Sequence, residues 1–449
     1  MPMPTCTLHA LPYQPDPGHY FHRLRQAPGA ILLDSARPVA ERGRFDLFSA
    51  WPVQQLQPGA GERGEAFLAR LRQALAELGE ATLPEGSELP FAGGLIGYLS
   101  YDFGRRLEHL PEEATDDIGL ADAQLGLYAW AFSSDHRLRT SQLIFHPALP
   151  EAERRRLIDL FEGDHAPSVG PFKLLAPMRG DLLPEQYRAA FDQVQHYIQA
   201  GDCYQINLTQ RFRAPCLGDP WQAYRALRRA CPTPFSGFQQ LTDDSALLSF
   251  SPERFIRVSQ AEVETRPIKG TRPRAADPLE DQRNASELLA SPKDRSENLM
   301  IVDLLRNDIG RTCEIGSVKV PELFSLESYP NVHHLVSSVT GRLASGRDAL
   351  DLIGGSFPGG SITGAPKIRA MQIIDELEPT RRTLYCGSLL YLDVRGEMDS
   401  SIAIRSVLIK TGQAFCWGGG AVVADSSWTS EYEESVAKVR VLMQTLQDM

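Results

Sequence analysis

Apolar residues along this chain repeat with two different periods, and the switches between them predict an order of elements. Residues 30–35 and 45–48 are short apolar runs bounded by turn residues, which is how strands read. Phe67, Leu68, Leu71, Leu75 and Leu78 recur at helical spacing and predict an amphipathic helix over 63–79. The stretch 90–98 is apolar and glycine-rich. Its spacing fails G-x-G-x-x-G and no helical pattern follows, so a core strand is expected. Residues 125–132 and 141–145 predict a strand pair. The stretch 162–183 carries Gly and Pro with few periodic positions, and it divides a region 1–175 from a region 176–449.

Beyond that boundary Pro184 opens a helix with Tyr187, Phe191, Val194 and Ile198 on one face, and Gly201 stops it. A helix over 277–290 is followed by Ser291-Pro292, a cap and first-turn pair for a second helix reaching Asp308. Residues 401–410 and 413–424 read as strands joined at Thr411-Gly412, and a last helix is expected over 429–447. Runs of strands with helices after them predict an α+β fold rather than a doubly wound sheet.

Composition narrows the function classes. At 449 residues the chain exceeds what one hydrophobic core usually organises. A net charge of −11 argues against nucleic acid or an anionic membrane as partner. The seven cysteines are scattered, odd in number and free of C-x-x-C pairs, so neither a disulfide framework nor a zinc site is supported. The first residues carry prolines without an apolar run, and no stretch approaches the roughly 18 apolar residues of a membrane span. A cytoplasmic protein is expected.

The candidate chemistry centres on Lys269, which lies between Pro267-Ile268 and Gly270-Thr271. A lysine on such a bend among apolar neighbours can be desolvated, which favours the nucleophilic neutral amine; a turn lysine facing water is the alternative. Glu253 follows an apolar run, where a carboxyl in a semi-apolar pocket has a raised pKa suited to a general acid. Asp294 and Glu297 stand three apart on one predicted helix, and Glu431 and Glu434 three apart on another. Two such faces meeting would form an all-oxygen site for a hard cation such as Mg²⁺; apart, they are surface acids. Residues 359–367 resemble a phosphate loop but have Ala-Pro where Lys-Ser/Thr is required, leaving a possible anion cradle on a helix start. Residues 417–421, rich in glycine, offer a second place for backbone to approach a ligand. Arg405, alone among apolar strand residues, either binds a carboxylate or faces solvent. His334, beside His333, lacks metal partners and is read as structural or substrate-contacting. Residues 214–218 imitate a glutaminase nucleophile elbow but lack its first glycine.

Taken together, the segments 267–271, 297–308 and 357–367 resemble the chorismate-utilising enzymes over nearly the whole chain. The resemblance implies their α+β chorismate-binding fold, two antiparallel sheets sandwiched and flanked by helices, with 1–175 an N-terminal region and 176–449 the catalytic region. Within the family the chain is most similar to the branch that aminates chorismate to 4-amino-4-deoxychorismate, for p-aminobenzoate and folate. Anthranilate synthase large subunits, the alternative, resemble the same segment but carry alanine at the position of Lys269. Gln205 stands where isochorismate and salicylate synthases have a water-activating lysine, which disfavours water addition. The resemblance further implies Lys269 as covalent nucleophile, Glu253 as general acid and His334 as an active-site histidine. It implies Mg²⁺ on Glu297, Glu431 and Glu434, and substrate contacts from Gln205, Gly270, Thr271, Thr363, Tyr385, Arg405, Gly419, Gly420 and Lys438. Ammonia would come from a separate glutamine amidotransferase subunit. Relatives also hold a tryptophan, here at Ser35, Arg44, Phe45, Pro234, Phe235 and Ser236; Arg42 and Gly43 depart from the pattern of that pocket.

Overall fold

The strand-like runs pair edge to edge into two large antiparallel sheets, as the α+β reading requires. The computed structural model describes residues 3–39, 43–163, 167–242, 244–329 and 332–449. The first sheet runs in the order Thr7–Leu11, Thr140–Phe145, Trp130–Asp135, Phe45–Ser49, Ile31–Asp34, Phe235–Thr242, Ser245–Ser251, Ser406–Lys410, Gln413–Val422, Gln205–Gly218. The second runs Ile268–Pro273, Val332–Arg342, Glu262–Thr265, Arg254–Ser259, Met398–Ile402, Ser388–Asp393, Gly94–Leu99, Ala123–Tyr128, Gln54–Leu56. Both sheets take strands from each side of the boundary placed at 175/176.

The sheets face each other across a shared interior. Ile31, Leu47 and Ala131 of the first pack with Ile96 and Tyr128 of the second. Strands covered on both sides have no polar face, so their sequences run apolar rather than alternating. Helices close the outer faces. Pro220–Ala230, capped by the Asp219 side chain, lays Trp221 and Tyr224 on Phe238 and Phe250 of the first sheet. Burying such rings drives the association, and truncating one costs about 3–5 kcal/mol. The predicted helices form as Gly64–Leu78, Pro184–Ala200, Pro278–Ala290, Pro292–Gly310 and Trp428–Gln447. Ser291 caps Pro292–Gly310 with its hydroxyl, and Gly201 ends its helix in the left-handed conformation.

Two predicted strands are each broken in two. The run 125–132 divides at Ala129: Ala123–Tyr128 belongs to one sheet and Trp130–Asp135 to the other. The run 401–410 divides in the same way between Met398–Ile402 and Ser406–Lys410. Apolar periodicity continues through both breaks because the chain is buried on both sides of each. Among the described residues no helix is long and apolar enough to cross a membrane.

Candidate active site

Lys269 lies on Ile268–Pro273, an edge strand of the second sheet. Gly270 beside it has φ +84°, and a Cβ there would come within 3.0 Å of the Asp294 side chain. That position therefore needs glycine, and it lets the strand lie close on Pro292–Gly310. The Lys269 amine donates to the Ser361 carbonyl at 3.0 Å. Burial lowers its pKa, against the opposing pull of Glu253.

Glu253 sits in the turn where the chain passes from the first sheet (Ser245–Ser251) to the second (Arg254–Ser259). It is almost fully buried and accepts a hydrogen bond from Ser361 Oγ at 2.9 Å. Burial raises its pKa, with Lys269 opposing. One site thus pushes an amine and a carboxyl toward their neutral forms, which a nucleophile and a general acid require.

The C-terminal helix Trp428–Gln447 packs on Gln413–Val422. Gly420 makes room there: a Cβ would lie 2.9 Å from Glu431 Oε2 and 3.3 Å from Glu434 Oε1, so both carboxylates lean over the glycine. Lys438 Nζ bridges Glu434 Oε1 at 2.6 Å and the Gly419 carbonyl at 2.8 Å. Glu297, on Pro292–Gly310, has its pKa raised by burial, with Lys269 opposing and Glu431 adding to the rise. Burial also raises Glu431, whereas in Glu434 the effect of burial is outweighed by Lys438. Among the described residues no group of three or more His, Cys, Asp or Glu side chains is disposed to hold an ion unaided. The donor set is nonetheless all carboxylate oxygen and partly desolvated, which fits a hard cation completing its shell with water and substrate oxygens. Asp294 is turned away to Arg272 at 3.1 Å.

The chorismate binding enzyme family matches residues 29–444. The chain belongs to the chorismate-binding enzymes. Aminodeoxychorismate synthase component 1 of Klebsiella aerogenes is 47% identical over 98% of both chains. Anthranilate synthase component 1 of Cereibacter sphaeroides is 38% identical over 91% of this chain and 82% of its own. The crystal structure of anthranilate synthase component I from Streptococcus pneumoniae superposes with a TM-score of 0.77 at 30% identity, covering 89% of this chain and 92% of its own.

The other candidates of this chorismate-binding enzyme each have their own partners. His334 and Thr271 are cross-strand neighbours, and Thr271 Oγ1 and His334 Nδ1 share a hydrogen bond of 2.8 Å. Burial, reinforced by Arg405, lowers the histidine pKa to about 4, so the ring is neutral at physiological pH. Arg405 is not within a strand, as the sequence suggested, but at the crossing between sheets with φ +52°, a sparsely populated conformation held by its surroundings. Gln205 is fully buried at the start of Gln205–Gly218, and among the described residues neither polar atom of its amide has a hydrogen-bond partner. Thr363 turns inward, donating to the Gly359 carbonyl at 3.0 Å, and Tyr385 stacks on Trp417. His333 bonds Asp281 and Ser328. The 359–367 loop does not form an open anion cradle. Gly364–Ala365 pairs with Gln205 and Ile206, and Lys367 is spent on Asp308 at 2.6 Å and the Ser356 carbonyl at 2.7 Å.

The tryptophan candidates lie elsewhere, about a cavity of 860 Å³ lined by strands of both sheets. Arg44, Phe45, Pro234, Phe235 and Ser236 line it with Pro252 and Ile268, whereas Glu253 and Lys269 do not. Ser35 is not among its walls; its N–H and hydroxyl both donate to Asp46 Oδ1, at 2.8 and 2.7 Å. Arg42 lies outside the described residues.

Ser361, which touches both Lys269 and Glu253, had no signal in the sequence: a serine in a glycine-rich loop shows neither period nor charge.

Proposed function

We propose that this enzyme aminates chorismate to 4-amino-4-deoxychorismate through a covalent adduct on Lys269. The observation that carries this reading is the buried pairing of Lys269 with Glu253 through Ser361, a nucleophile and an acid in one desolvated centre. The aminodeoxychorismate synthase component 1 of Klebsiella aerogenes is 47% identical, against 38% for the anthranilate synthase component 1 of Cereibacter sphaeroides.

The neutral Lys269 amine adds to the ring carbon beside the carboxylate-bearing carbon, and the ring double bonds shift. The ring hydroxyl leaves as water with the proton of Glu253. Ammonia then adds at the vacated carbon, the double bonds return, and the bond to Lys269 breaks. Dividing one hard substitution into two is the advantage of a covalent nucleophile. Mg²⁺, held mainly by Glu297 and Glu434 with Glu431 nearby, would neutralise the ring carboxylate and draw electron density toward it when bound. Arg405 and Lys438 supply cationic charge for substrate carboxylates, and Gly419 and Gly420 leave room beside them. His334, neutral, and Thr271 offer hydrogen bonds without adding charge. The Gln205 amide, without a partner among the described residues, is available for a substrate contact, since buried polar atoms otherwise find partners.

Ammonia is proposed to come from a separate glutamine amidotransferase subunit. All seven cysteines are free, six of them buried, and burial raises the thiol pKa of every one; Cys216, in the elbow-like segment, is pushed up to about 11. A cysteine that hydrolyses glutamine acts as its thiolate, and burial opposes that form at each of these positions. The cytoplasm is the proposed location. Tryptophan is proposed for the 860 Å³ cavity, between Phe45 and Phe235 with Arg44 at its rim. Equilibrium dialysis with labelled tryptophan tests that assignment; no retention above the buffer removes it.

The experiment for the activity itself supplies chorismate, Mg²⁺ and ammonium chloride to the purified chain and separates the products. Aminodeoxychorismate supports the reading. Fluorescent anthranilate with release of pyruvate would transfer the chain to the anthranilate synthases.

A further inference from the structure

Ser361 occupies a single helical turn, Gly360–Ile362, between two glycines and the threonine that closes it. The turn is fastened from several sides. Thr363 Oγ1 donates to the Gly359 carbonyl at 3.0 Å, and Arg382 and Asn207 donate to the Ile362 carbonyl at 2.9 and 3.1 Å. Lys367, six residues on, is anchored to Asp308 on the helix that carries Glu297. Ser361 itself is buried, at 5% exposure.

We propose that Ser361 is a positioning residue, whose hydroxyl holds the Glu253 carboxyl while its carbonyl holds the Lys269 amine, so that acid and nucleophile meet the substrate in one register. The two bonds, 2.9 Å to Glu253 Oε1 and 3.0 Å from Lys269 Nζ, come from one residue on a turn that its neighbours keep rigid. Serine suits both states of the acid. Its hydroxyl donates to a carboxylate and can rotate to accept from a carboxylic acid, whereas the backbone carbonyl accepts from amine and ammonium alike. The inference rests on the proposed covalent amination and adds a residue to it.

Charges around the pair define what a pH profile reports. Glu253 faces Lys269 and Lys438, and the Ile268 backbone also favours its ionised form. Lys269 faces Glu253, Lys438, Glu297 and Glu434. Among these groups the Ser361 hydroxyl is a neutral donor that favours the Glu253 carboxylate. Its removal raises the Glu253 pKa, and the acid limb of the kcat profile moves to higher pH.

Ser361→Ala removes the hydroxyl and keeps the carbonyl; Ser361→Thr keeps both. With chorismate, Mg²⁺ and ammonium, Ser361→Ala is expected to lose about 10- to 100-fold in kcat, the worth of one hydrogen bond to a charged group. Its KM for chorismate is expected to stay within about threefold, since uniform binding is untouched. Adduct formation without ammonia slows in parallel, the acid limb shifts upward, and the melting temperature is unchanged. Ser361→Thr restores rate and profile. Wild-type kcat and an unmoved acid limb in Ser361→Ala would overturn the proposal, as would a threonine variant impaired to the same degree as the alanine variant. Absence of both adduct and amination in the wild-type enzyme would overturn the functional reading beneath it.

Discussion

Replacing Glu253 with glutamine separates the acid from everything else the carboxyl does. Glutamine keeps the size of the side chain and an oxygen that can accept from Ser361 Oγ, so the 2.9 Å contact survives. What it lacks is a transferable proton. The substitution also removes the charge that most favours the Lys269 ammonium, so burial, aided by Lys438 and opposed by Glu297 and Glu434, drives the amine further toward its neutral form. A loss of rate in Glu253→Gln therefore cannot come from a protonated nucleophile. Hydroxide is a poor leaving group, and a positioned general acid contributes about 10²- to 10⁴-fold, or about 2.7–5.5 kcal/mol of barrier. The assay is steady-state amination with ammonium as nitrogen source, run from pH 6 to 10 (about the range where free ammonia becomes abundant). The expected result is a loss in that range, with KM for chorismate little changed and the melting temperature equal to or above that of the wild type. A variant within about threefold of wild-type kcat would refute the assignment of Glu253 as the acid.

Lys269→Ala is expected to abolish amination even at saturating ammonium, because the covalent route is lost; the same steady-state assay reports it. The pH profile of kcat should be a bell belonging to the Lys269–Glu253 pair. Activity falls at low pH when Glu253, raised by burial, gains the pair's second proton, and at high pH when Lys269, lowered by burial, loses the last one. The plateau is accordingly narrower than the span between an ordinary glutamate and an ordinary lysine. Lys438→Met frees Glu434 of its 2.6 Å ion pair and is expected to tighten Mg²⁺ in calorimetric titration while raising KM for chorismate. Arg382→Leu leaves Glu378 buried without the partner now at 2.6 Å and also removes one of the two side-chain donors to the Ile362 carbonyl. Breaking a buried pair in this way costs about 3–5 kcal/mol, read as a lower midpoint in urea unfolding.

The sequence makes Lys269 and Glu253 visible because each breaks a local rule, a charge among residues that want burial. Gly420 and the acids of the C-terminal helix show through the same kind of contrast. Helices were legible where caps and period agree, as at Ser291-Pro292 and at Gly201. The breaks at Ala129 and Arg405 were not. An apolar run covered on both faces keeps its pattern when it passes from one sheet to the other, and only pairing partners distant in sequence decide where it bends. Arg405 therefore reads as a strand residue in the sequence although it stands at a crossing between sheets. The spending of Ser35 on Asp46 and of Lys367 on Asp308 was hidden for a related one, since side chains far apart in sequence compete for the same groups.

Intact-mass spectrometry of the enzyme with chorismate and Mg²⁺, in the absence of ammonia, tests the covalent claim most directly. The account predicts a mass increase of one chorismate less one water, located after digestion on the peptide that contains Lys269. An unmodified protein under those conditions, with aminodeoxychorismate still formed once ammonium is added, would contradict it and reduce Lys269 to a residue lining the pocket.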